Sequence, residues 1–470
     1  MVNHLSTCCF LYIVVSTASA QAQLPLNPFL PRSSWPEAHS VYCQQNSPMI
    51  SLTEHDSIIM DSIPFSHDEQ GSMPGGAMVS DFFGTTKTYC FAGCNGTVIY
   101  KVVCSPEKPI LMSKKLVDIG ANKIVSIYGA GDKDNVGYFM SDYKLFIAKD
   151  SVDIDPYSAI TIDTIIDLSP YKDGDNLRGI KMLYSGQLVI TSTHGNVLVF
   201  DRSLRKVIFA THLHEIIDNN MAVDEGNNVY ILSKSSLNKL NWDGTRLNLV
   251  WRVPIGGSGT TPTLMGTTMM PAASQLVAVV DRSRPMNLIL VWKDSIPGDW
   301  KGIEGRPLRV AAVEPITFNT ANPKEDVAPT ENSLVVSGNS ILLARWDGMQ
   351  PADNSFKPGL EKWTWIPETR SLCRNWVNTT TYIPNSMQCL STATNYIYAM
   401  GETLLKNKKY YTLEAIDWLD GSSKFQKILG PHSKKYLNVF GGSIQIGQRG
   451  EIITMSREMI FIFHKFISYY

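Results

Sequence analysis

The chain has no excess of charge of either sign. Its 470 residues contain 42 lysine and arginine residues against 43 aspartate and glutamate residues, and only 18% of the residues are charged. The formal net charge of −1 comes from acidic and basic side chains that are interspersed along the chain. No long-range field therefore favours a polyanion or a membrane surface, and we expect no nucleic-acid partner.

The sequence also lacks the short motifs that identify common enzyme and metal sites. It has no G-x-S-x-G elbow of a hydrolase and no GK[ST] ending of a nucleotide P-loop. Its cysteines do not occur as paired C-x-x-C ligand sets, which argues against a structural zinc site. No long amphipathic helix is evident. The sequence therefore identifies no cofactor.

The N-terminus predicts secretion. The apolar run Cys8–Val15 is followed by Ala18-Ser19-Ala20, the small-x-small pattern that a signal peptidase needs, so we expect cleavage before Gln21. The apolar run is too short to cross a bilayer, so no membrane span is predicted. The alternative is a buried N-terminal strand. The signal-peptide interpretation predicts a secreted, extracellular protein.

Loss of Cys8 and Cys9 with the signal would leave an even number of cysteines in an oxidising compartment, which favours disulfide bonds. The six are Cys43, Cys90, Cys94, Cys104, Cys373 and Cys389. Cys373 and Cys389 flank a turn-rich stretch and are predicted to pair, while the other four leave three connectivities open. The sequons at Asn95 and Asn378 predict a glycoprotein.

Short β-rich runs recur from about Lys87 onward, and they repeat as a unit. The segments that start at Ser185, Asp224 and Gly447 share a Gly/Asn turn, an apolar strand, a break and a second strand. The first two start about forty residues apart, the length of a four-stranded blade. This pattern predicts an all-β fold, a single β-propeller of six to eight four-stranded blades, over a pair of β-sandwiches.

The predicted organisation has three parts. Residues 1–20 form the signal peptide, residues 21–80 form an extended arm and the start of the propeller, and residues 81–470 form the β-propeller. Because most propellers close by joining both ends of the chain, we expect the Phe461–His464 strand to complete a blade with an N-terminal strand.

Two segments carry a resemblance to known propeller families. Leu413–Gly421, followed by Phe425, resembles the A-x-D-x-x-x-G repeat of quinoprotein-like propellers, and Ala222–Ile231 is similar to the AVD-x-x-GN-x-Y strand of NHL-type propellers. Such motifs imply blade geometry rather than activity. The quinone enzymes use a vicinal cysteine pair, and Cys8-Cys9 lies within the predicted signal peptide, so no quinone cofactor is expected.

A Gly- and Thr-rich loop is the candidate ligand site. Gly256–Thr263 contains Gly257, Ser258, Thr260 and Thr261, whose backbone N–H groups and hydroxyls suit an anion or a polarised carbonyl. Asp281 and Glu331 are the candidate catalytic carboxylates at the same mouth of the central channel. The alternative is that all of these residues form structural turns.

Two further groups are candidate cation sites. Asp132 and Asp134 begin a segment that resembles the first half of a calcium loop, which leaves a loosely built Ca²⁺ site open. His212 and His214 would lie on one face of a strand, but a surface loop explains them better because no third ligand is identifiable.

Three functions remain open. The first is an extracellular binding or matrix-type propeller that holds a carbohydrate or protein partner. The second is a secreted oxidoreductase, lyase or hydrolase that acts at the channel mouth. The third is a Ca²⁺-stabilised structural component of an extracellular or mineralised matrix. The absence of a catalytic motif favours the first.

Overall fold

The computed structural model describes most of the chain after the predicted signal peptide. The described residues are 24–31, 41–70, 77–106, 113–118, 128–257, 259–320, 330, 332–346, 356–384, 386–439 and 442–466. The predicted signal peptide (1–20), Ser258 and Glu331 lie outside these ranges. No helix in the described ranges is long and apolar enough to cross a membrane.

The strands of the described residues form eight sheets of four strands each, one sheet per blade, and one of these sheets carries an additional short strand. The middle strands of a blade are covered on both faces and are mostly apolar, as in Leu276–Val280 and in Asn287–Trp292 after its first residue. The fourth strand lies at the rim and contains buried, half-buried and exposed residues, as in Leu247–Pro254. The prediction of an all-β propeller is confirmed, with eight blades.

The four strands of each blade follow one another from the channel outward. Blade 1 contains β3 (Met78–Val79), β4 (Tyr89–Asn95), β5 (Val98–Cys104) and β6 (Ser113–Asp118). Blade 2 contains β7 (Gly129–Gly131), β8 (Gly137–Ser141), β9 (Lys144–Asp150) and β10 (Ile160–Asp167). Blade 3 contains β11 (Leu177–Met182), β12 (Leu188–Ser192), β13 (Asn196–Asp201) and β14 (Lys206–His212). Blade 4 contains β15 (Ala222–Val223), β16 (Asn228–Leu232), β17 (Ser236–Trp242) and β18 (Leu247–Pro254).

The remaining four blades have the same order of strands. Blade 5 contains β19 (Thr263–Met265), β20 (Leu276–Val280), β21 (Asn287–Trp292) and β22 (Val310–Pro315). Blade 6 contains β23 (Val335–Ser337), β24 (Ser340–Ala344), β25 (Leu360–Ile366) and β26 (Ser371–Asn378). Blade 7 contains β27 (Cys389–Ser391), β28 (Tyr396–Leu405), β29 (Lys408–Asp417) and β30 (Ser423–Pro431). Blade 8 contains β31 (Gln445–Ile446), β32 (Ile452–Met455), β33 (Met459–Lys465) and β2 (Ile58–Pro64).

Four short 3₁₀ turns lie between strands of the described residues, at His67–Glu69, Ser169–Tyr171, Ala272–Ser274 and Lys435–Leu437.

Blade 8 joins the two ends of the chain. Strand β2 pairs antiparallel with β33 over its full length, from Ile58 opposite Lys465 to Pro64 opposite Met459. The side chains reinforce this pairing, because Asp61 Oδ2 and His464 Nε2 lie 2.8 Å apart. The expected closure is therefore confirmed, and the N-terminal strand forms the rim of the last blade.

The alternating strand directions define two faces of the ring. Connectors from one blade to the next lie on the same face as the hairpins between second and third strands, and we call this the connector face. The hairpins between first and second strands, and between third and fourth strands, lie on the opposite face. A ligand site at either mouth of the channel is therefore built from loops of several blades.

An N-terminal segment enters the channel, and we call residues 41–52 the channel arm. Its short strand β1 (Asn46–Ser47) runs parallel to β27 of blade 7. Four of its carbonyl groups accept hydrogen bonds from four successive blades, and the pairs of carbonyl and N–H residues are Val41 with Val223, Tyr42 with Leu264, Gln44 with Val336 and Gln45 with Leu390. The arm thereby satisfies backbone donors that the innermost strands direct toward the axis.

Candidate functional site

The two ends of the channel arm are anchored at the face of the ring that lies opposite the connector face. The hydroxyl of Tyr42 donates to Glu225, whose other oxygen accepts from the backbone N–H of Thr268 over 2.7 Å, and both partners belong to first hairpins of their blades. At the other end of the arm, Ser51 Oγ donates to the carbonyl of Gly450, 2.7 Å away. The arm therefore closes the channel from this face.

Burial works against the ionisation of Glu225, but hydrogen bonds from Thr268 and Tyr42 outweigh it and lower the pKa of this carboxyl group. The same burial raises the pKa of the Tyr42 hydroxyl, which stays protonated and can donate. The contact is therefore a charge-assisted hydrogen bond that holds the base of the arm.

The tip of the arm reaches the connector face. Cys43 and Gln45 have positive φ angles of 58° and 51°, which non-glycine residues seldom adopt. The Gln45 amide donates to the carbonyl of Leu334 over 3.3 Å, and Cys43 Sγ donates to the carbonyl of Met221 over 3.4 Å. These acceptors lie just before innermost strands, so the tight reversal is held by surrounding blades.

A group of polar side chains surrounds this tip at the connector-face mouth. We call it the channel-mouth cluster, and its members are Cys43, Tyr128, Arg178, Lys181, Asn219, Asn220 and Thr261. Six of them are buried, and Arg178 is half-buried.

Asn219 is the centre of this cluster. Its side-chain carbonyl accepts hydrogen bonds from the hydroxyl of Tyr128 and from Thr261 Oγ1, the latter over 3.0 Å. The neighbouring Asn220 accepts from the backbone N–H groups of Ile180 and Met221, at 3.1 and 3.0 Å. Within the described residues, its buried amide nitrogen has no hydrogen-bond partner. Three blades thus hold these groups in fixed positions.

Cations supply the charge of the cluster. Lys181 lies against Cys43, and burial raises the pKa of the Cys43 thiol although the ammonium group partly offsets this effect. Burial likewise raises the pKa of the Tyr128 hydroxyl, against the influence of Arg178. The cluster therefore combines two cations, amide groups and hydroxyls with a protonated thiol, and its members include no carboxylate.

The structure brings only part of the Gly- and Thr-rich loop to this mouth. Thr260 and Thr261 are fully buried, and Thr261 belongs to the cluster. Gly257 instead packs against blade 4, where its N–H donates to the carbonyl of Lys234 over 3.0 Å. A Cβ atom at this position would lie 1.9 Å from the carbonyl oxygen of Ser233, so glycine is needed for close packing.

Asp281 lies in a second hairpin on the connector face, as expected, but it stabilises its own turn. One oxygen accepts from the backbone N–H groups of Ser283 and Asn287, at 3.1 and 2.8 Å, and the other accepts from their side chains, at 2.7 and 2.9 Å. Asp281 is only 2% exposed. With both oxygens engaged, this carboxylate is not placed to act as a catalytic base.

Asp132 has the same kind of role on the opposite face. Its oxygens accept from the backbone N–H groups of Asp134 and Val136 and from the side chains of Tyr138 and Arg202. In blade 4, Asp224 binds N–H groups two and four residues later and the hydroxyl of the tyrosine six residues later in the same way.

The calcium-like segment is thus a blade turn. Asp134 points toward Lys133 and Arg202, at 2.9 and 3.6 Å. The described residues contain no cluster of three or more His, Cys, Asp or Glu side chains that could hold a metal.

The six cysteines among the described residues are thiols in this structure. Cys373 lies in β26, the rim strand of blade 6, whereas Cys389 lies in β27, the innermost strand of blade 7. The expected Cys373–Cys389 bridge is therefore absent from the structure, because the two residues occupy opposite ends of neighbouring blades. Cys90, Cys94 and Cys104 lie in the middle strands of blade 1.

The two sequon asparagines are buried rather than exposed. Asn95 donates to the carbonyl of Arg457 over 2.8 Å, and Asn378 donates to the carbonyl of Gly421 over 2.8 Å. Both amide nitrogens thus take part in contacts with other parts of the fold. A glycan at either position would have to replace such a contact.

Sequence reasoning missed most of the channel-mouth cluster. Asn219 and Asn220 lie just before Met221 and the Ala222-Val223 strand, which resembles a known blade motif, and residues before an innermost strand line the mouth of a propeller. That position was a usable signal. Arg178 and Lys181 gave no such sequence signal, because the Leu177–Met182 strand with its two basic residues looks like an ordinary rim strand.

Comparison with a solved structure supports the fold. The structure resembles the quinohemoprotein alcohol dehydrogenase from Comamonas testosteroni with a TM-score of 0.55 and 10% sequence identity, over 96% of this chain and 82% of that chain. BamB from Moraxella catarrhalis gives a TM-score of 0.42 with 9% identity, over 72% of this chain and 96% of the other. At 10% identity the likeness to the alcohol dehydrogenase shows the fold alone.

Sequence comparison gives a relative of unknown activity. An uncharacterized protein from Archaeoglobus fulgidus is 29% identical over 334 residues, which cover 63% of this chain and 62% of that protein. The chain therefore spans less than two thirds of the length of this relative. No protein-family model matches.

Proposed function

We propose that the chain is a secreted extracellular binding protein that holds an acidic carbohydrate at the channel-mouth cluster. The observation that carries the proposal is the asymmetry of the channel. Its own arm fills one end, and at the other end the half-buried Arg178 and the buried Lys181 lie among amide and hydroxyl groups.

The chemistry of these groups favours a carboxylated sugar over a neutral one. Amide and hydroxyl groups bond sugar hydroxyls, whereas a guanidinium group pairs with a carboxylate through two parallel hydrogen bonds. The buried amide nitrogen of Asn220 is available as a further donor. The rigid packing of the arm means that the site is formed before the ligand binds, which reduces the entropy lost on binding.

The test compares an acidic and a neutral ligand of equal size. Calorimetry of the mature protein with a tetrasaccharide of galacturonic acid should give saturable binding that weakens as salt is raised, and the galactose tetrasaccharide should bind at least tenfold more weakly. Loss of one charge-assisted contact in Arg178→Gln should weaken the acidic ligand about tenfold or more. The melting temperature should not change.

The matched control is Arg246→Gln. Arg246 lies in a third-to-fourth strand hairpin on the opposite face, with its side chain 68% exposed, and this variant should bind like the wild type. Equal affinity for both tetrasaccharides, or no saturable binding at all, would refute the proposal. Secretion is tested separately, by the N-terminal mass of protein from the culture medium, which should begin at Gln21.

A further inference from the structure

A pocket opens between blades 1 and 2, away from the channel-mouth cluster. Apolar side chains from both blades line it, among them Met78, Val79, Phe83, Ile99, Phe139 and Ile160. Four charged residues also line it, Lys101, Asp132, Lys149 and Asp150. Asp132 pairs with Arg202 and Lys149 pairs with Asp163, which leaves Lys101 and Asp150 to pair with each other. We call this space the inter-blade pocket.

Lys101 and Asp150 form a buried ion pair across the blade interface. Lys101 Nζ lies 2.5 Å from Asp150 Oδ1, and their side chains are 5% and 8% exposed. Burial raises the pKa of Asp150, although the lysine opposes this effect. The pair is neutral as a whole, so an additional charge in the pocket would face one group of like sign.

The same lysine position recurs at other blade interfaces, where an aromatic ring covers it. In blade 4, Lys239 pairs with Asp294 of blade 5, and the ring of Tyr230 lies 5.5 Å from the lysine nitrogen. In blade 6, Lys362 reaches toward blade 7, and the ring of Trp418 lies 4.5 Å from its nitrogen. These contacts are cation–π interactions that replace water around the ammonium group.

Blade 1 lacks the ring that blade 4 has. Tyr230 stands directly opposite Lys239 in the sheet, and Ala92 stands directly opposite Lys101 in the same way. Ala92 is half-buried and lines the pocket. The pocket therefore occupies the place where the blade-4 arrangement has a tyrosine side chain.

We propose that the inter-blade pocket binds a small neutral aromatic molecule that carries a hydroxyl group. Its ring takes the place of the missing tyrosine over Lys101, against the apolar lining. Its hydroxyl can accept from the ammonium group and donate to the carboxylate, so it satisfies the ion pair without separating it. A carboxylate or an amine on the same ring would be repelled by Asp150 or by Lys101.

The probe is p-cresol, which is the side chain of tyrosine as a free molecule. Ligand-observed NMR and calorimetry on the full chain should detect saturable binding. Toluene should bind more weakly, and 4-methylbenzoate and 4-methylbenzylamine should bind at least tenfold more weakly than p-cresol. Equal affinity for all four compounds, or no binding of p-cresol, would overturn the proposal.

Two variants of Ala92 locate the site. Ala92→Tyr should abolish p-cresol binding and keep or raise the melting temperature, because the new ring fills the pocket as Tyr230 does in blade 4. Ala92→Ser, the matched control, should bind p-cresol like the wild type. Binding that persists unchanged in Ala92→Tyr would place the ligand elsewhere and overturn the assignment.

A double variant tests whether the ion pair recognises the hydroxyl group of the ligand. Lys101→Met with Asp150→Leu removes both charges together, which avoids leaving one buried charge unpaired. This variant should still bind aromatic rings, but the preference for p-cresol over toluene should disappear. A preference that survives in a folded double variant would exclude the ion pair as the group that recognises the hydroxyl.

Discussion

The backbone carbonyl of Tyr42 accepts a hydrogen bond from the N–H of Leu264 over 3.0 Å, which fixes the channel arm to the innermost strand of blade 5. The side chain of Tyr42 is fully buried beside the channel wall. The arm is thus part of the core of the propeller rather than a loose extension. This contact leads to the first prediction.

Tyr42→Ala should lower the free energy of unfolding by about 3–5 kcal/mol, since it removes a buried aromatic ring and leaves a cavity at the centre of the ring. Ile50→Ala is the control in the same arm, because Ile50 is 67% exposed, and it should change stability by less than about 0.5 kcal/mol. Thermal and urea unfolding measure both variants. Equal stability of the two would mean that the arm does not contribute to the core.

Gly257 and Gly256 form a matched pair in one loop. A Cβ atom at Gly257 would lie 1.9 Å from the carbonyl oxygen of Ser233, whereas one at Gly256 would meet nothing within 4 Å. We expect Gly257→Ala to destabilise the fold by more than about 2 kcal/mol, because backbone must shift to make room. Gly256→Ala should be close to neutral. The reverse order in chemical unfolding would contradict the packing described.

The thiols should differ strongly in reactivity. Burial raises the pKa of Cys90 to about 12, and Cys43, Cys94, Cys104 and Cys389 are also buried. Cys373 is partly exposed, so iodoacetamide at neutral pH should label it first, and labelling of all six should require denaturant. Mass spectrometry reads the sites, with Cys373→Ser as the control. A peptide that links Cys373 to Cys389 would instead support the disulfide predicted from sequence.

The burial of Lys362 predicts that the stability of the folded protein depends on pH. Burial lowers its pKa from 10.5 to about 8, against the attraction of Asp417. The folded state therefore disfavours the charged form, and the penalty is complete below pH 8 and is relieved as the pH rises toward the unfolded-state value.

As the pH rises from 7 to 10, the wild type should gain roughly 2 kcal/mol of unfolding free energy relative to Lys362→Met, which has no lysine to deprotonate at this position. The difference between the two proteins is the quantity to measure, because buried tyrosines affect both equally. A difference that stays constant with pH would show that Lys362 keeps an ordinary pKa in the folded protein.

The fold was accessible from sequence because blades repeat. The turn and strand pattern at Ser185 and Asp224 recurs with blade spacing, and each copy reports the same local geometry. The course of the channel arm was not accessible. Its contacts with Leu264, Val336 and Leu390 join distant parts of the chain through backbone groups, which carry no sequence signal.

The candidate site was predictable only in part. Thr261 was identified because hydroxyl residues beside glycines are unusual, and it does reach the channel mouth. For Asp281 and Asp132 the sequence left both a ligand role and a turn role open, because a carboxylate that holds a turn and one that holds a ligand look the same in sequence. Cys43 was considered only for disulfide bonding, although its position at the tip of the arm places it beside Lys181.

The closure of blade 8 determines when this blade can form during synthesis of the chain. Asp61 and His464 are 403 positions apart, and strands β2 and β33 can pair only when both have been made. At a synthesis rate of about 5–20 residues per second, β2 waits roughly 20–80 s for its partner. Throughout that interval β2 lacks its partner strand, so the newly synthesised chain must protect this exposed edge from other pairing until β33 has been made.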